Sequence, residues 1–157
     1  MNWAHVHLLI NHFPIIGTVL GILFLVVALV RQDRDLQRLI LGYFILVALL
    51  ALPVYFTGEP AADLIEELPG VSESAIEQHE EAALIALVAV EVLGVLALGG
   101  LFFFRRRATI PTWFVSLLLL LSIAVGGWMA WTANLGGQIR HPEIRPGGGA
   151  LPPTGGS

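Results

Sequence analysis

Four uninterrupted apolar runs restrict this chain to one kind of fold. They extend over about Phe13 to Val30, Leu39 to Phe56, Ala82 to Phe104 and Ile110 to Ala133. A run of about 18 or more such residues reads as a membrane span, because a helix of that length crosses a hydrocarbon layer roughly 30 Å thick. Lipid offers no hydrogen bonds, so the spanning backbone must satisfy its own N–H and C=O groups, and a helix does this within one segment. The expectation is an all-α integral membrane four-helix bundle over residues 1–141. A Gly/Pro-rich tail, 142–157, has too little apolar content to order itself. Composition agrees: 56% of the 157 residues are hydrophobic and only 13% charged, too few to coat a water-soluble core. With no cysteine in the chain, disulfides, thiolate metal sites and iron–sulfur ligation are excluded.

The start, Met1-Asn2-Trp3-Ala4-His5, lacks the basic flank and cleavage site of a secretory signal peptide. The first run is therefore expected to be a retained span. Its helix begins near Trp3 under an Asn2 cap, with Pro14 kinking it, or begins afresh near Pro14 with His12 at the cap. Pro111 suits the first turn of the fourth span. Between spans two and three, Pro60 to Leu68 reads as a short amphipathic helix with Leu64, Ile65 and Leu68 toward the membrane surface. Ser74 followed by Glu77 forms a capping box, which starts the third helix near Ala75.

Arginine placement sets the orientation, because the eight basic residues include no lysine. Arg31, Arg34 and Arg38 join spans one and two, and Arg105, Arg106 and Arg107 join spans three and four. By the positive-inside rule those two loops are cytoplasmic, and both termini and the long middle loop face outward, in a bacterial plasma membrane toward the periplasm. Trp3, Tyr55, Trp128 and Trp131 then mark the outer interface, with Tyr43 and Trp113 at the inner one.

That topology gathers all five histidines at the outer face: His5, His7 and His12 around the start of span one, His79 at span three and His141 after span four. Imidazole is the commonest ligand for haem iron, zinc and copper, and bundles bind such centres between facing helices. His12 and His79, near the start of the hydrophobic zone, are the favoured pair for a buried centre. His7 and His141 form a second pair nearer to water, with Arg140 beside His141 placed for a haem propionate. Interfacial histidine is also ordinary, with an apolar body and a polar tip, and His5 fits that description. Glu91 lies mid-span, where an ionisable group costs roughly 3 kcal/mol on insertion scales, and is expected to face the bundle interior. Gly17 and Gly21 form a GxxxG pattern, joined by Gly94, Gly99-Gly100 and Gly126-Gly127 on later helices. Such residues let helices approach closely or leave room for a flat macrocycle, packing being the commoner use.

His7-Leu8-Leu9-Ile10-Asn11-His12-Phe13-Pro14 resembles the opening signature of a bacterial membrane family catalogued as domain of unknown function 2231, in which two histidines five apart precede Phe-Pro. Thr57-Gly58, His79-Glu80-Glu81-Ala82 and Asn134-Leu135-Gly136-Gly137 extend the likeness across nearly the whole transmembrane region. Leu8 stands where a proline is usual, and His141 follows the glycine pair sooner than in the pattern. The resemblance implies a four-helix haem-binding module similar in outline to small b-type cytochromes, with redox work for relatives joined to Rieske or cytochrome domains.

The functional expectation is a membrane protein binding haem b, with His12, His79, His7 and His141 as ligands or supporting groups. It would be an electron-transfer or redox-partner subunit rather than a stand-alone enzyme, since no nucleophile–base set or phosphate loop is visible. A single haem at one face cannot carry electrons across the bilayer, so traffic stays on the periplasmic side. Expected partners are the lipid bilayer, a periplasmic redox protein, a quinone or respiratory subunit, and further copies of the chain; nucleic acid is not among them. Two alternatives stand beside it: a transition metal ion (copper, zinc or iron) bound through the same histidines, and a structural membrane subunit.

Overall fold

A computed structural model describes residues 2–145. The expected disorder of the tail from residue 146 onward falls outside the described residues. Every regular element is helical: α1 (Trp3–Ile10), α2 (Phe13–Arg31), α3 (Arg34–Phe56), α4 (Gly58–Ala62), α5 (Glu73–Phe103) and α6 (Thr112–Arg140), followed by a 3-10 turn at Pro142–Ile144. Four stretches are long and apolar enough to cross a membrane, namely α1 with α2, α3, α5 and α6. They close a ring in which α2 packs on α3, α3 on α5, α5 on α6 and α6 back on α2, while α1 rests on α4.

Local chemistry explains the boundaries. Asn2 caps α1, its side-chain oxygen accepting from the His5 N–H at 3.0 Å. Asn11 and His12 interrupt the helix, and α2 starts at Phe13 with Pro14 in its first turn, where no N–H is needed. Both readings of the first span therefore hold in part, a capped start at Trp3 and a fresh start at the His12 junction. The turn between α2 and α3, Gln32-Asp33, is only two residues long and is flanked by Arg31 and Arg34. Gln32 adopts the left-handed conformation there (φ 54°), and its side chain donates to the Leu29 carbonyl at 3.0 Å. Asp33 then caps α3 by accepting from the Leu36 N–H at 2.8 Å.

The middle loop departs from expectation twice. Its helix is the five-residue α4, starting at Gly58 and ending at Ala62 rather than running to Leu68. Beyond it the chain makes three-residue turns, Ile65 N–H to Ala62 O and Leu68 N–H to Ile65 O. Asp63, Glu66 and Glu67 crowd this segment without a basic neighbour in sequence, and like charges three or four apart disfavour a helix. The third long helix begins two residues early. Ser72, in an extended conformation, is its cap and accepts from the Ala75 N–H at 3.3 Å, so Glu73 occupies the first turn where the helix dipole favours an anion.

Small residues share the interior with large ones such as Leu25, Ile40, Phe44 and Leu118. Glycines and alanines line the interior, including Gly17, Gly21, Ala28, Ala48, Gly94 and Ala97. Large residues such as Val30, Leu39, Val95, Phe103 and Leu120 point outward, which suits lipid as solvent. The glycine notches are filled by protein. A Cβ on Gly21 would stand 2.5 Å from the Phe44 ring, on Gly100 2.5 Å from the Phe114 ring, and on Gly94 2.6 Å from the Ala48 Cβ. Close helix approach is thus the use of these three.

Glu91 is placed differently from expectation. It lines an outward groove of α5 with Leu87, Val88, Val92, Val95 and Leu96. The inward stripe of α5 is Ala82, Ala86, Val90, Leu93, Gly94 and Ala97, and position 91 lies about 100° around the helix from Val90.

Substitution at these notches tests the packing. Gly94→Ala drives a methyl against a rigid Cβ and is expected to cost about 1–3 kcal/mol. Gly127, where a Cβ meets nothing within 4 Å, should gain up to about 1 kcal/mol from alanine's helix propensity. Thermal melts in detergent followed by circular dichroism should move in opposite directions for the two variants.

Candidate functional site

The two ends of the bundle differ in chemistry. At one end the α2–α3 and α5–α6 connections meet: Gln37 accepts from the Ile110 N–H at 2.8 Å, and Arg34 donates to the Arg105 carbonyl at 2.7 Å. At the other end α1, α4 and the outer turns of α3, α5 and α6 come together, and the histidines are there.

His79 projects from α5 toward α6. Its Nδ1 lies 3.0 Å from the Thr132 carbonyl oxygen. A carbonyl only accepts, so Nδ1 carries the proton and the Nε2 lone pair stays open. The ring is seated against Gly136, where a Cβ would stand 3.0 Å from its Cε1, so a larger residue there would shift the ring. The α5–α6 contact is clasped below by Trp128 Nε1, which donates to the Ala82 carbonyl at 3.0 Å; the Thr132 hydroxyl lies 3.3 Å from that carbonyl and 3.0 Å from the Trp128 carbonyl of its own helix.

His7 projects from α1 onto the end of α3. Its Nδ1 lies 3.1 Å from Thr57 Oγ1. The Thr57 hydroxyl sits 2.9 Å from the carbonyls of both Pro53 and Val54. Its single proton is committed to them, so its oxygen accepts from His7 Nδ1–H. Gly58 lies just beneath, 3.7 Å from the His7 Cε1 by the position a Cβ would take. His7 and His79 are half-buried and within electrostatic reach of each other. A second hydrogen bond that fixes the tautomer and orientation of an imidazole is the usual support of a metal-ligating histidine.

The other sequence-expected residues lie apart from this pair. His12 is exposed at the α1–α2 junction, with no side-chain hydrogen bond among the described residues. His5 is exposed on α1. His141 is exposed and pairs with Glu143 at 2.8 Å. The Glu143 carboxyl is held below its usual value, first by a hydrogen bond from its own backbone N–H and then by the His141 ring. Arg140 is exposed and makes no hydrogen bond or ion pair among the described residues. Its neighbour Arg145 instead ties the end of α6 to the middle loop, donating to the carbonyls of Gln138 (2.7 Å), Ile139 (2.9 Å) and Gly70 (3.1 Å). That is the usual service of a cation at a helix C-terminus.

Among the described residues no three histidine, aspartate or glutamate side chains converge as a metal-binding group. Thr57, Thr132 and Gly136 are the site residues that sequence reading assigned no role. Thr57-Gly58 and Gly136-Gly137 stood out as motifs, whereas nothing in the sequence distinguished Thr132. No family model matches the chain, and neither the curated proteins nor the solved structures yielded a match.

The tautomers are directly measurable. With 15N-labelled histidine, His7 and His79 are expected as Nδ1–H imidazoles. Thr57→Val should release His7 alone from that form, and solid-state NMR of the ring nitrogens checks both.

Proposed function

We propose that this chain is a b-type haem protein of the bacterial plasma membrane, acting as an electron-transfer or redox-partner subunit on the periplasmic side, in which His7 and His79 would hold the haem. One observation carries the reading: two imidazoles from separate helices share one end of the bundle, each anchored through Nδ1 with Nε2 open. The donor set suits haem better than a bare ion. A tetrahedral zinc or copper site draws three or four ligands from the protein, whereas haem brings four nitrogens and asks for only two.

When bound, haem supplies reversible one-electron exchange. The residues around it supply the rest. The Thr132 carbonyl and the Thr57 oxygen hold the rings in orientation and raise their basicity as ligands. Gly136 admits the His79 ring. The resemblance to domain of unknown function 2231 and the arginine distribution both favour this reading, the latter by placing the histidine end outward under the positive-inside rule.

Expression with an adequate haem supply, purification in detergent and a visible spectrum test it. A Soret band is expected, lost in His7→Ala and in His79→Ala and kept in His141→Ala. Thr57→Val should weaken haem retention roughly tenfold, the lower range for loss of an outer-shell partner. A colourless protein carrying stoichiometric zinc or copper would overturn the haem reading. A Soret band lost in His12→Ala but kept in His7→Ala would move the ligand to the α1–α2 junction.

A further inference from the structure

The arginine-rich end holds an unmatched group of cations. Arg31, Arg34, Arg38, Arg105, Arg106 and Arg107 share it with only two carboxylates, Asp33 and Asp35. None of the six lies within 4.0 Å of a carboxylate among the described residues, where His141–Glu143 is the sole ion pair. Arg34 and Arg38 converge instead on a single acceptor, each donating through Nη2 to the Arg105 carbonyl. Two guanidinium groups are thereby held side by side, against the repulsion of like charges.

Donors at this spot are left over. Arg34 Nε is sheltered from solvent without a hydrogen-bond partner. Gln37, one turn along the same face of α3, is only 2% exposed; its Oε1 is taken by the Ile110 N–H, and its Nε2 has no partner. Of these, Arg34 Nε is the one beside the paired guanidinium groups, and an unpaired sheltered donor there favours an added acceptor.

A wide-open groove of about 600 Å³ starts at Arg38. It is lined by Asp35, Arg38, Leu39, Gly42, Tyr43 and Leu46. From Arg38 to Leu46 it follows one ridge of α3 for about 12 Å into the apolar span, and Gly42 leaves it open, with nothing within 4 Å of where a Cβ would lie. Charged donors at the mouth and an apolar channel below them match the two parts of one kind of molecule. We propose that this end of the bundle binds an anionic phospholipid, its phosphate on Arg34 and Arg38 and an acyl chain along Leu39, Gly42 and Leu46. Basic pockets beside membrane helices bind such headgroups by the same electrostatics. Asp35 on the rim discourages a second negative charge. The groove distinguishes a lipid from free phosphate, which has no use for it.

The test is thermal unfolding of the full chain in neutral detergent with added dioleoylphosphatidylglycerol, dioleoylphosphatidylcholine or sodium phosphate at equal concentration. A saturable stabilisation by the phosphatidylglycerol alone is expected. Arg34→Gln with Arg38→Gln should weaken its apparent affinity roughly fivefold for each arginine removed. Gly42→Leu, which fills open space without touching the arginines, should fold normally and lose the lipid response. Equal stabilisation by the phosphatidylcholine, full reproduction by phosphate, or an unchanged lipid response in Gly42→Leu would each overturn the proposal.

Discussion

Close approach of helices with no hydrophobic force between them is the condition on which the rest of this structure depends. In lipid, apolar side chains gain nothing by leaving the solvent, so association rests on van der Waals contact between well-fitted surfaces. The chain meets that demand with glycine and alanine at the seams. Gly94 meets Ala48 and joins α5 to α3, Gly21 receives the Phe44 ring and joins α2 to α3, and Gly100 receives the Phe114 ring and joins α5 to α6. Polar atoms add a few fixed points. Tyr43 on α3 donates to the Gly17 carbonyl on α2 at 2.9 Å. With the helices locked in this way, their ends become rigid mounts for side chains.

The two ends use that rigidity for opposite chemistry. At the histidine end, four acidic residues of the middle loop (Glu59, Asp63, Glu66 and Glu67) and four at the start of α5 leave the surface strongly anionic. His7 and His79 are held beneath it by neutral acceptors, a hydroxyl and a carbonyl, rather than by carboxylates. A neutral acceptor fixes the tautomer without adding negative charge beside the imidazole, whereas a carboxylate would do both. At the arginine end the charge is positive, and the carbonyl of Arg105 organises it.

Sequence reading and structure agree where local chemistry decides and part where neighbours decide. The four spans, the Asn2 cap, the polar turn at Gln32 and the packing role of the glycines follow from residues close together in the chain. The cap of α5 shifted from Ser74 to Ser72 because both serines offer a hydroxyl, and only the extended backbone at Ser72 brings it to a free N–H. The amphipathic segment after Pro60 kept its turns but not its helix, since charge repulsion outweighed the pattern of Leu64, Ile65 and Leu68.

The sequence by itself determined that this chain forms four long apolar helices, that six of the eight arginines lie at the end opposite the histidines, and that no cysteine chemistry is available. Those are properties of windows of residues, and window length, periodicity and composition carry them. Tertiary structure alone decided which imidazoles meet. His7 and His12 are both on the first span, but α1 rests on α4 and the end of α3, where the earlier ring reaches Thr57, while the later one stays exposed. His79 found Thr132 and Gly136 more than fifty residues away. The angle at which one helix leaves another depends on every contact in the seam, and no local pattern encodes it.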